Sequence, residues 1–229
     1  MSNKTFEIRV CESCGLRYPL VQGNPHGTRC PLCMGITRVA LTREIEGDFH
    51  REEAKVAKEP NLGDKKLFDT PRASIVRSSN NFSILLDNIR SAWNVGSILR
   101  SADGFGILHA YLCGITPTPE NEAVQKTSLG AEDSVTWSHH KDAVKLVRGL
   151  KAEGWRVLAL EDDLRAVTIT SASRSPSSRE VLILGNEVTG VDPDLLALSD
   201  EIYYLPMRGE KKSLNVAIAF SVAAFALQK

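Results

Sequence analysis

Two short apolar runs near the carboxy terminus, Val181 to Leu184 and Ile202 to Leu205, are rich in β-branched or aromatic residues, and each stops at once at Gly185 or Pro206. Such runs read as strands buried on both faces that end in loops, so a site is expected at two neighbouring strand ends. The same buried-strand pattern opens at Phe82 to Leu86 and recurs at Ala110 to Cys113, Ser134 to Trp137 and Arg156 to Leu160. Helices fit Val95 to Asp103, Lys141 to Glu153 and Leu214 to Leu227. Alternation of this kind implies an α/β fold with a mostly parallel sheet and helices on both faces. The last helix carries Ser221 as its only polar member from Val216 to Leu227 and falls short of the about 20 residues a membrane crossing needs. It is therefore expected to be covered all round by the core and a partner subunit, with Ser213 as its N-cap.

The pattern weakens upstream. Glu44 to Lys58 is charge-rich with only a faint helical period, and Pro60 and Gly63 then break it. Residues 41–80 thus read as a charged connector, a short helix followed by a loop, in which Arg72 and Arg77 are ordinary linker residues. Thr168 to Arg179, rich in Ser and Thr, reads as an exposed loop. The expected division is a small module over 1–40, the connector over 41–80 and the main domain over 81–229.

Composition adds bounds. A chain of 229 residues with 42% hydrophobic content can bury one core of about 150 residues and still carry a small module. Net charge is zero, so no global basic field announces nucleic acid. Residues 1–43 are locally basic, however, with Lys4, Arg9, Arg17, Arg29, Arg38 and Arg43 against Glu7 and Glu12. No run of signal-peptide or membrane length is present, which makes a cytoplasmic protein the expectation. Cysteines rarely pair in a reducing compartment, so four of the five need another explanation.

Cys11-x-x-Cys14 and Cys30-x-x-Cys33, fifteen residues apart, match the spacing of a tetrahedral zinc site, the alternative being a redox dithiol. Gly15 and Gly35 suit two tight knuckles, and His26 between the pairs reads as a loop residue. A piece of about forty residues cannot bury enough surface alone, so zinc would supply folding energy. The module is either a stability clip or dimer contact, or an RNA-binding ribbon that places Arg17, Arg29 and Arg38 on phosphates. Cys113 reads as a small core residue, and His139 and His140 as surface polar residues before a helix.

Three segments carry chemistry. In Leu86 to Phe105, Asn88 and Arg90 end a strand, Asn94 can cap the next helix and Arg100 follows six residues on, with Ala102-x-x-Phe105-Gly106 after it. The second is Gly185-Asn186-Glu187-x-x-Gly190, whose glycines permit close backbone approach while Asn186 and Glu187 offer an amide and a carboxylate. The third is Leu205-Pro206-Met207-x-Gly209-x-x-x-Ser213-Leu214-Asn215. Together, and in this order, they resemble the three motifs of the SpoU/TrmH family of SPOUT RNA methyltransferases over about Phe82 to Leu227; the cysteine module is not part of the usual family domain.

That resemblance implies S-adenosylmethionine-dependent methylation of a ribose 2′-hydroxyl in tRNA or rRNA, on a Rossmann-like sheet whose carboxy-terminal portion is threaded as a trefoil knot. It implies cofactor contacts at Gly185, Leu205, Met207, Ser213 and Leu214, with Gly185 leaving space for the ligand. Arg100 would grip phosphate and stabilise developing negative charge, since its guanidinium stays protonated and makes a poor base. Asn94, Glu187, Ser213 and Asn215 would position Arg100 and the ribose, and a homodimer would share the active site. The competing readings are methylation of a base nitrogen and a catalytically inactive zinc-containing RNA-binding or assembly protein.

Overall fold

The computed structural model describes residues 2–24, 27–47, 81–172, 178–211 and 213–227. His26 and the connector beyond Gly47, with Arg72 and Arg77, lie outside the described residues. The chain divides into two compact units, Met1–Leu67 and Phe68–Lys229.

In the first unit, β1 (Ser2–Cys11), β2 (Arg17–Val21) and β3 (Thr37–Gly47) form an antiparallel sheet in the order β2-β1-β3. Phe6 and Ile8 alternate inward along β1 and are buried with Leu16 and Tyr18. The expected helix from Glu44 is not formed over Glu44 to Gly47, which pair instead with Thr5 to Ser2 of β1. Cross-strand pairing along β1 outweighs a weak helical period. Arg17 is 7% exposed, which removes it from the three arginines expected to face phosphate; Arg29 and Arg38 are exposed.

The second unit holds β4 (Phe82–Asp87), α1 (Ala92–Gly104), β5 (His109–Cys113), α2 (Glu122–Ser128), α3 (Ala131–Ser134), β6 (Thr136–His140), α4 (Ala143–Ala152), β7 (Arg156–Leu160), β8 (Val167–Thr168), β9 (Glu180–Leu184), α5 (Pro193–Leu198), β10 (Glu201–Tyr204) and α6 (Val216–Leu227). Its seven strands are all parallel, in the order β6-β5-β4-β9-β7-β10-β8. Every residue of β4 and β9 is buried, as expected for central strands covered on both faces. One apolar cluster joins the sheet to α1, α2 and α6, including Ile98, Leu99, Phe220 and Leu227. The other joins it to α4 and α5, including Val147, Leu150, Leu195 and Leu196.

The elements correct several expectations. Ser134 ends α3, so β6 starts at Thr136 and takes in His139 and His140, which precede no helix directly. Burial lowers the His139 pKa, and its Nε2 lies 3.0 Å from the Gly114 carbonyl. Strand β10 ends at Tyr204, one residue before Leu205. Helix α5 went unforeseen although its start is written in the sequence: Asp192 accepts from the Asp194 N–H and Pro193 occupies the first helical position. In Thr168 to Arg179, a 3-10 turn spans Ile169–Ser171, and residues 173–177 lie outside the described residues. Helix α6 is covered by its own chain on one side only, with Ile218, Val222 and Phe225 55%, 44% and 64% exposed, which leaves the expected cover by a partner open. Among the described residues no helix is long and apolar enough to cross a membrane.

Candidate functional site

The carboxyl ends of β4, β9, β7 and β10 lie side by side, and the three motif segments leave from three of them. After β4 the chain turns through Asn88, whose φ of 57° puts a non-glycine residue in the left-handed region. Tertiary bonds hold it there: its Oδ1 accepts from the Ile115 N–H at 3.1 Å and its carbonyl accepts from Asn186 Nδ2 at 2.6 Å. Helix α1 then starts with Ser91 as its cap, the Oγ accepting from the Asn94 N–H. Asn94 is therefore not the cap; it stands inside the first turn with its side chain free for other bonds.

Those bonds connect the motifs. The Glu187 carboxylate accepts from the Arg90 N–H at 2.8 Å, the Ser91 N–H at 3.1 Å and Asn94 Nδ2 at 2.9 Å. An acceptor-only group thus satisfies backbone donors at the amino terminus of α1, where a negative charge is favoured. Asn94 Oδ1 in turn accepts from Asn215 Nδ2 at 3.0 Å, and Asn215 Oδ1 accepts from the Ala217 N–H at 2.9 Å. Asn215, not Ser213, therefore caps α6, and the helix starts at Val216. One chain of hydrogen bonds runs from the loop after β9 through α1 to the loop after β10.

The loop after β9 closes on itself. Asn186 and Gly190 exchange backbone hydrogen bonds of 3.1 and 2.8 Å, and Asn186 Oδ1 accepts from the N–H groups of Val188 and Thr189. A Cβ on Gly185 would stand 2.2 Å from Val191 N and 2.3 Å from the Gly190 carbonyl carbon. Loop closure by itself demands glycine there. The segment after β10 has the opposite character: every described residue from Pro206 to Asn215 is exposed, with Met207 at 37% and Leu214 at 40%, beside a half-buried Leu205. Exposed apolar side chains beside an exposed loop can cover a flat heteroaromatic ligand, and Leu205, Met207, Ser213 and Leu214 lie on this segment.

Arg100 stands apart. It is exposed, and its side chain makes no hydrogen bond or ion pair with the described residues. Six residues at about 100° each turn it well away from Asn94, onto the helix face of Trp93, which is 60% exposed. Sequence reasoning also passed over Glu161, the residue that follows β7, between the two motif-bearing strands β9 and β10. Its only signal was an acid placed directly after a buried strand.

The cysteines form a second centre. Their four sulfurs all lie within 4.8 Å of one another, with Cys11 to Cys33 at 3.5 Å and Cys14 to Cys30 at 3.7 Å. Sulfurs around a tetrahedral zinc with bonds of about 2.3 Å are spaced at roughly 3.8 Å, so the set fits that ion. The N–H groups of Cys14 and Leu32 point at the sulfurs of Cys11 and Cys30, each at 3.4 Å, as donors that orient and stabilise thiolates. Burial pushes the Cys14 thiol up to about 12, whereas Cys11, raised by burial, is brought down to about 6 by hydrogen bonds from neighbouring groups. The turn in the first knuckle is taken by Gly15 with a φ of 75°, and in the second by Met34 with a φ of 59°, not by Gly35. Gly35 serves close packing instead: a Cβ there would meet Ser13 Oγ at 2.5 Å.

A parallel sheet with its motif loops at the carboxyl strand ends defines a ligand-binding α/β domain of the doubly wound kind. Residues 81–225 match the model of the SpoU rRNA Methylase family, and the chain belongs to that family. It is 32% identical over 158 residues to the tRNA (guanosine(18)-2′-O)-methyltransferase of Thermus thermophilus, covering 67% of this chain and 77% of that protein. It is 30% identical over 147 residues to the 23S rRNA (guanosine(2553)-2′-O)-methyltransferase RlmP of Bacillus subtilis, covering 63% of this chain and 57% of that one. Among solved structures, an AdoMet-bound rRNA methyltransferase from Sinorhizobium meliloti is similar with a TM-score of 0.62 and 25% identity, over 67% of this chain and 58% of that chain.

Proposed function

We propose that the protein is an S-adenosylmethionine-dependent RNA methyltransferase that modifies a ribose 2′-hydroxyl in tRNA or rRNA. The observation that carries this reading is the hydrogen-bond chain Glu187 to Asn94 to Asn215, which joins the three motif segments at the carboxyl strand ends. The relatives named for guanosine 2′-O-methylation of tRNA and rRNA, at 32% and 30% identity, support the substrate class.

S-adenosylmethionine supplies the methyl group when bound. Leu205, Met207 and Leu214 would cover its ring, and the backbone of Gly185, Ser213 and Leu214 would meet its polar edge. Glu187, Asn94 and Asn215 act by holding the start of α1 and the start of α6 in one arrangement, so that the ribose is presented in line with the transferring carbon. Arg100 holds a substrate phosphate and stabilises charge developing on the ribose oxygen, while the proton leaves through phosphate or water. Cys11, Cys14, Cys30 and Cys33 would hold a structural zinc ion, and the exposed Arg29 and Arg38 would let that module touch RNA.

A homodimer completes the reading. The stripe Ile218, Val222 and Phe225 recurs at helical spacing on α6 and is 55%, 44% and 64% exposed, so burying what remains of each side chain is worth about 1 kcal/mol or somewhat more. Arg100, outside the network of its own chain, would then act at a shared site. A knotted carboxy-terminal segment and a cytoplasmic location belong to the same proposal.

The test is methyl transfer from labelled S-adenosylmethionine into separate pools of unmodified tRNA and rRNA, followed by nucleoside analysis. A 2′-O-methylated nucleoside from either pool is the expected result and selects the substrate. No incorporation together with no cofactor binding would favour an inactive RNA-binding protein. Arg100→Ala should abolish turnover with cofactor affinity unchanged; retained turnover would remove Arg100 from its role.

A further inference from the structure

We infer that Glu161 is a positioning residue for the cofactor side of the site, the latch that holds the loop after β9 against the strand end of β10. This rests on the functional reading above and adds to it a residue that none of the three motifs contains.

The geometry is specific. Strand β7 lies between β9 and β10, so the residue that leaves its carboxyl end faces both motif-bearing loops. Glu161 is that residue, and it uses its backbone and its side chain in opposite directions. Its N–H donates to the Tyr203 carbonyl of β10 at 2.9 Å. Its carboxylate Oε2 accepts from the Val191 N–H at 2.6 Å, the first backbone donor after the Gly185 to Gly190 loop. A single residue thus ties the end of one motif loop to the strand that starts the other.

The loop is shaped to receive this carboxylate. Gly190 has a φ of 70°, and a Cβ there would stand 2.4 Å from Glu161 Oε2. A side chain at 190 would therefore meet the carboxylate as well as the strain of a left-handed backbone. Gly190 in turn exchanges hydrogen bonds with Asn186, and Asn186 anchors to the Asn88 carbonyl. The latch consequently fixes the loop at its far end while Asn186 fixes it at its near end. Glu187, which lies between the two anchors, can hold the start of α1 only if both ends stay put. Charge-assisted hydrogen bonds from a backbone N–H to a carboxylate are about twice as strong as neutral ones, which suits an anchor that must survive opening of the site to a ligand.

Two variants and two readouts test this. In Glu161→Ala, backbone hydrogen exchange across residues 185–191 should rise at least about tenfold, because the Val191 N–H loses its bond to the Glu161 carboxylate. Affinity for S-adenosylmethionine, measured by calorimetry on the full-length protein, should fall about tenfold or more, with affinity for unmodified RNA and the melting transition of the core strands little changed. Glu161→Gln keeps an oxygen acceptor and should recover most of both effects. Unchanged exchange across 185–191 in Glu161→Ala would overturn the latch, and raised exchange with wild-type cofactor affinity would overturn its link to the cofactor. A wild-type protein that binds no S-adenosylmethionine would sink the functional reading instead, and the exchange experiment would still decide whether Glu161 anchors the loop.

Discussion

The two units of this chain reach order by different means. The second is built on strands buried on both faces and two apolar clusters, so its folding energy is spread over dozens of side chains. The amino-terminal sheet has few buried apolar residues among those described, Phe6, Ile8, Leu16 and Tyr18 among them, and gathers four sulfurs at one end. A unit of the first kind loses stability in steps when side chains are trimmed. The amino-terminal unit is expected to be lost at once if an ion held by its four sulfurs is removed.

The sharpest way to break the comparison is to take the metal away. Chelation, or Cys11→Ser with Cys14→Ser, should unfold β1 to β3 while leaving the strand and helix signals of the main domain in place, as read by residue-resolved NMR. The effect is large because a structural zinc in a small domain supplies about 10–16 kcal/mol of apparent binding free energy at neutral pH. A ribbon that stays folded without metal would end the distinction.

Next in size is the core. Phe220→Ala, at a side chain with no exposure, should cost the main domain about 3–5 kcal/mol in chemical denaturation and leave metal binding by the ribbon untouched. Glu187→Ala comes third, costing about 1 kcal/mol of stability, since the partly exposed Arg90 and Ser91 N–H groups exchange their carboxylate acceptor for water. Turnover should fall much further than stability in that variant, and a proportionate fall would count against its positioning role. The smallest effect contrasts the two knuckles. Met34→Gly should change ribbon stability by less than about 1 kcal/mol and in the stabilising direction, because Met34 sits at positive φ. Gly15→Ala should destabilise by about 1–2 kcal/mol, because an L residue at this left-handed turn is strained.

Much of the site was legible. Glycines at fixed offsets, an amide and a carboxylate after one buried strand, and Ser-Leu-Asn before an apolar helix marked the strand ends correctly. The errors were of a single kind. Asn94 and Ser213 are good capping residues by type, yet the caps are Ser91 and Asn215, because capping is settled by which side chain reaches the open N–H groups once the loop is folded. At Gly185 the sequence reading also left out one neighbour, since a Cβ there would meet the chain itself at Gly190 and Val191.

What the sequence determined alone is what acts over a few residues or through fixed covalent spacing: the buried strands at Phe82 and Val181, the alternation that makes the sheet parallel, the two Cys-x-x-Cys knuckles and the order of the three motifs. The tertiary structure decided the partners. Glu187 meets Arg90 across 97 positions and Asn215 meets Asn94 across 121, and Glu161 reaches Val191 across 30. Such contacts depend on which strand ends stand side by side, and adjacency in a sheet ordered β9-β7-β10 is set by packing of the whole core, which no local pattern along the chain encodes.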